Sequence, residues 1–158
     1  MKNPTTLERK SDRDLVITRT FNAPARLVFE AWSKPELIMR WWTPKSFGIT
    51  FISCEADVRT GGTYRYVFSH PDFEQPMAFF GSYVEVTPHS RIVWTNEESA
   101  DGALSTLTFA EQDGATLLVL HELYPSTQAL DDSLANGSPG AAGEQFDLLE
   151  DVLATLVH

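Results

Sequence analysis

The chain has 158 residues, with 12 Lys and Arg against 22 Asp and Glu, for a formal charge of −10. That length suits one domain with a sizeable core. The carboxylate excess repels phosphate backbones and anionic bilayers, so no nucleic-acid or membrane partner is expected. No basic stretch followed by an apolar run opens the sequence, and nothing approaches the roughly 18 apolar residues that span a bilayer, so a cytoplasmic location is expected.

Residues 1–13 lack apolar periodicity and read as a flexible lead-in, leaving 14–158 as the single domain. "DLVITRTF" (14–21) sets Leu15, Ile17, Arg19 and Phe21 against Val16, Thr18 and Thr20, the alternation of a strand. "NAPARLVFEAW" then reads as a helix with Asn22 as N-cap and Pro24 in the first turn. Pro35 ends it and opens a second short helix, "PELIMRWW", which carries Glu36 early and is stopped by Pro44.

Beyond Gly48 the pattern becomes an antiparallel sheet, with strands at 49–58, 62–69, 77–87, 91–97, 104–112 and 116–124. Turn chemistry separates them: Gly61-Gly62, "HPDFEQP", Pro88-His89, "SADG" and Asp113-Gly114. A short helix is expected at 127–135, a breaker "NGSPG" at 136–140, and a final amphipathic helix on which Phe146, Leu149, Val152, Leu153 and Leu156 share one face. The expected fold is therefore α+β, a curved antiparallel sheet of about seven strands gripping the terminal helix, with the two short helices after the first strand at the mouth of the enclosed space.

Trp41 and Trp42 fall at that mouth. Neighbours on a helix point about 100° apart, so one ring can face the interior while the other caps the opening. Alternation places Tyr64, Tyr66 and Phe68 on one face of their strand, Phe80, Val84 and Val86 on one face of theirs, and Ile92 with Trp94 on another. Ordinary core packing explains these patterns as well as a cavity does.

The four histidines lack metal-ligand spacing. His70 and His89 fall in turns and His158 at the end. His121 sits in an apolar strand beside Glu122, and adjacent strand residues point to opposite faces, so the two form no local dyad. No phosphate loop, nucleophile elbow or metal site is present, and no cofactor is expected. The lone Cys54 reads as a buried small hydrophobe.

The blocks "RTFNAPARLVFEAWSKPELIMRWWTPKSFG", "DVRTGGTYRYVF" and "GSYVEVTPHSRIVWT" resemble the Hsp90-ATPase-activator-homologue family of the START-like, birch-pollen-allergen-like (SRPBCC) superfamily. Trp41, Trp42 and Pro44 match its tryptophan-proline signature, Gly61 and Gly62 its double-glycine turn, and Gly81, Tyr83 and Pro88 its central hairpin. The resemblance implies a helix-grip fold with an internal cavity. Bacterial relatives often carry a Gly-Trp pair early in the last helix, where this chain has Phe146.

The expected function is binding of an apolar or aromatic small molecule between the sheet and the last helix. Trp32, Trp41, Trp42, Tyr64, Tyr66 and Phe68 are the candidate contacts from the first half of the chain. Phe80, Trp94, His121, Phe146, Leu149 and Leu153 are those from the second. The alternatives are a cyclase, aromatase or lyase with His121 or Tyr66 carrying the proton, and a chaperone-interacting domain. A homodimer stays open.

Overall fold

The computed structural model describes residues 3–43, 48–98, 100, 102–136 and 141–156. Pro44, His158 and the 137–140 part of the breaker lie outside them. The strands are β1 (Thr6–Arg9), β2 (Asp14–Phe21), β3 (Thr50–Ala56), β4 (Thr63–Ser69), β5 (Met77–Thr87), β6 (Arg91–Thr95), β7 (Leu104–Gln112) and β8 (Ala115–Leu123). The helices are α1 (Ala25–Ser33), α2 (Pro35–Trp41), α3 (Thr127–Asn136) and α4 (Ala142–Leu156).

All the strands form one antiparallel sheet in the order β1-β2-β8-β7-β6-β5-β4-β3. It has eight strands where the sequence suggests about seven, because Thr6–Arg9, read as lead-in, pairs with Leu15–Thr18. All four residues of β1 are exposed, so no apolar alternation could have marked it.

α1 begins without a side-chain cap from Asn22. Pro24 holds the N-cap position, and the free Ala25 N–H donates instead to Glu111 Oε1 of β7 at 2.7 Å. A carboxylate at a helix N-terminus satisfies both the orphan donor and the helix dipole. α2 follows the sequence reading, with Pro35 first and Glu36 in the opening turn.

α4 packs on α1, α2 and β2. Its buried face of Phe146, Leu149, Val152 and Leu153 joins Ile17, Phe21, Val28, Trp41, Leu107 and Leu118 in the main core. A second, smaller core of Leu15, Ala103, Tyr124, Ala129 and Leu130 lies under α3. The space between these two cores is where the cavity opens.

Two bulges reset the faces of the sheet. One interrupts the β5–β6 register between Tyr83 and Glu85, the other the β3–β4 register between Phe51 and Ser53. Each inserts a residue, so the side chains on either side of it change parity. Tyr83 and Val86 thus both belong to the concave side, while Val84 is 53% exposed.

Candidate ligand cavity

A cavity of about 640 Å³ runs between the sheet, α3 and the start of α4. Its apolar wall is built from Ile17 and Leu120 on the sheet, Trp32 and Trp41 on the short helices, Trp94 on β6 and Phe146 on α4. A recess of about 60 Å³ adjoins it, lined by Tyr64, Tyr66, Tyr83 and Ile92 and sharing Trp32, Trp42, Phe79, Trp94 and Asn96 with the larger space.

The two neighbouring tryptophans do different things. Trp41 is buried and donates its indole N–H to the Ala31 carbonyl at 3.0 Å, bolting α2 to the end of α1. Trp42 is only partly buried and sits among the rings of Phe51, Tyr66, Phe68 and Phe79, with centroids 5.3 to 5.9 Å away. Gln145 of α4 donates to the Trp42 carbonyl, tying this ring's backbone to the terminal helix.

Of the sequence-named residues, Trp32, Trp41, Trp42, Tyr64, Tyr66, Phe68, Trp94 and Phe146 come together around these spaces. Four do not. Phe80 lies on the opposite face of β5 under the Arg65 guanidinium, 5.7 Å from its ring centroid, and Phe79 is the cavity residue. Leu149 and Leu153 are buried in the main core and line neither space. His121 is on the outer face, where its Nε2 lies 2.6 Å from Asp14 Oδ1, and its side chain is 38% exposed.

Since His121 faces out, its neighbour faces in. Glu122 lines the cavity, opposite Leu15 of β2 and Ser105 of β7. Ser105 Oγ donates to Glu122 Oε2 at 2.6 Å, and Asn96 Nδ2 donates to Ser105 Oγ at 3.0 Å. The Tyr64 hydroxyl lies 2.8 Å from the Thr95 carbonyl and 3.2 Å from Asn96 Oδ1. A polar line of Tyr64, Asn96, Ser105 and Glu122 thereby crosses the concave face. Burial raises the Glu122 carboxyl above its ordinary 4.5, and the Ser105 hydrogen bond opposes that shift.

The tyrosines are poor acids here. Burial pushes Tyr64, Tyr66 and Tyr83 above their ordinary value of 10.0, and Tyr66 is hydrogen-bonded to Tyr83. Their hydroxyls stay neutral at pH 7, each able to donate and to accept a hydrogen bond. Burial likewise pushes the Cys54 thiol up to about 11, which leaves it un-ionised and unreactive at neutral pH. Glu122 was the residue most hidden in the sequence. Alternation along β8 separates it from His121, but only the curvature of the sheet decides which of the two looks inward.

The family model for Activator of Hsp90 ATPase homolog 1-like protein matches residues 22–154. The chain belongs to that family. Its fold is accordingly the helix-grip fold of the START-like proteins. A solved protein from Rhodobacter sphaeroides superposes with a TM-score of 0.87 at 22% identity, over 97% of this chain and 99% of that one. Ms6760 from Mycobacterium smegmatis gives 0.81 at 24% identity, over 98% and 100%. An AHSA1-like protein from Aeromonas hydrophila gives 0.70 at 20% identity, over 90% and 96%. At such identities these likenesses establish the fold alone. No curated protein matches the chain in sequence. Among the described residues, no helix is long and apolar enough to cross a membrane.

Phe146 occupies the space between β2 and α1, its ring centroid 5.7 Å from Phe21 and 6.3 Å from Trp32.

Proposed function

We propose that the protein binds an apolar or aromatic small molecule in the cavity between the sheet and α4. The observation that carries this reading is the cavity itself: about 640 Å³, within the range of small-molecule sites, walled by indole and phenyl rings with a short set of polar groups on one side. Burial of the ligand's apolar surface supplies affinity at about 25 cal/mol per Å². The polar line from Asn96 to Glu122 supplies orientation.

Native mass spectrometry of the protein purified from its own host tests this directly. A retained small molecule, released on unfolding, supports the reading. A chain that carries nothing, and whose melting temperature no member of a broad panel of aromatic and aliphatic compounds raises, would sink it, because binding to the native state must stabilise that state.

A further inference from the structure

The charged groups of the cavity are all of one sign. Glu122, Glu98 and Asp132 line it, and no Lys, Arg or His does so among the described residues. Glu98 and Asp132 are exposed, whereas Glu122 stands on the concave face between Leu15 and Ser105. Ser105 engages Oε2, and among the described residues no donor engages Oε1. Among the described residues the one buried cation, Arg19, does not serve it, because Asp147 and Glu150 of α4 hold the guanidinium.

A carboxylate inside an apolar cavity is costly unless something pairs with it. A ligand that brings a cation supplies the pairing, and the faces of Trp32, Trp42 and Trp94 in the same cavity attract a cation as well. We infer that the ligand is a hydrophobic amine, with its aryl or alkyl body among the aromatic rings and its protonated nitrogen on Glu122. This rests on the cavity-binding reading proposed above and narrows it to one ligand class.

The pH dependence follows from the groups around Glu122. Tyr64 from β4 and Tyr124 after β8 both sense its charge, Asp132 lines the cavity from α3 and Glu98 from the loop after β6. His121 stands behind it on the outer face of β8 and favours its ionised form. Of these only His121 is able to carry positive charge. Amine binding therefore strengthens as pH rises and Glu122 ionises, then weakens above the amine's own pKa.

Isothermal titration calorimetry with naphthylmethylamine and its neutral counterpart naphthylmethanol separates the possibilities. The wild type should bind the amine about tenfold or more tightly than the alcohol, the scale of a desolvated charge pair. Glu122→Gln should bring the amine down to the alcohol and leave the alcohol unchanged. Equal affinities in the wild type, or an amine preference that survives Glu122→Gln, would overturn the inference while leaving cavity binding intact. Should neither compound bind, nor any other apolar compound, the cavity-binding reading falls and takes this inference with it. If Glu122→Gln does not fold, the wild type decides. Its amine-to-alcohol affinity ratio should shrink as pH falls through the Glu122 titration, and a ratio that ignores pH refutes the ion pair.

Discussion

Arg19 on β2 reaches Glu150 on α4 at 3.1 Å, and its second terminal nitrogen reaches Asp147, one turn earlier, at 2.7 Å. The guanidinium is 1% exposed, while the carboxylates are 19% and 51% exposed. Among the described residues, removing the acids strands a buried cation with the Thr5 hydroxyl, 3.0 Å from Nη1, and the Phe21 ring, whose centroid is 5.4 Å away. Removing the arginine leaves carboxylates that water reaches. The double variant Asp147→Ala with Glu150→Ala should therefore lose about 3 kcal/mol in urea unfolding, and Arg19→Met about 1 kcal/mol or less. The reverse ranking would mean that the arginine acts through packing alone.

Leu149 tests the grip itself. It is fully buried in the main core on the inner face of α4. Leu149→Ala should cost about 2 to 5 kcal/mol, the range for emptying a core site. A loss below about 0.5 kcal/mol is the scale of a surface change and would show that α4 is not seated on the sheet.

Gly61 and Gly62 are both needed, for different reasons. They end a loop of residues 57–62 rather than forming a two-residue turn, and they bond to both backbone groups of Tyr83 on β5. Gly61 takes φ +87 with open space around it, so alanine there meets only backbone strain. Gly62 has no such φ, but a Cβ on it would fall 1.9 Å from the Asp57 carbonyl oxygen. Gly61→Ala should cost about 1 kcal/mol in thermal or urea unfolding, and Gly62→Ala distinctly more, since backbone must move.

The tryptophan pair should separate in the same way. Trp41→Phe keeps bulk but leaves the buried Ala31 carbonyl without its donor, so about 1 to 3 kcal/mol of stability should go. Among the described residues the Trp42 indole donates no hydrogen bond, so Trp42→Phe mainly shrinks a ring of the cavity wall. Its stability should hold within about 1 kcal/mol, the scale of a modest volume change, while the fluorescence response to an apolar ligand drops. A response carried instead by Trp41 would place the ligand at the base of α2.

These outcomes mark how far the sequence could be read. Turn residues and short apolar runs located most of β2, β4, β5, β7 and β8, with clean alternation in β2 and β4, and helical spacing located the buried face of α4. What spacing could not supply was phase relative to the curvature. Phe79 and Phe80 are adjacent aromatics, and a bulge at Val84 breaks the parity that would have tied Phe80 to Val86. His121 and Glu122 pose the same choice, and the unusual choice is correct: the carboxylate faces in and meets Ser105, and the imidazole faces out to Asp14. That pairing joins residues 105 and 122 and is invisible to any local pattern.

Glu122 yields the pH prediction. Burial raises its carboxyl in the folded protein above the ordinary 4.5 that applies when the chain is unfolded. Between those two values the folded state holds the proton more tightly than the unfolded one. Stability from this group is therefore complete below pH 4.5 and is lost as pH rises through the folded pKa. Glu122→Gln removes that titration and keeps a group able to accept from Ser105. Urea unfolding of both proteins across this window should show the variant gaining on the wild type as pH rises, with the difference levelling off once Glu122 is ionised in both states. The other carboxylates are common to both proteins and cancel to first order in the difference. A gap that widens towards acid pH instead would mean that the folded protein prefers Glu122 ionised, held by a cation or donor that outweighs its burial.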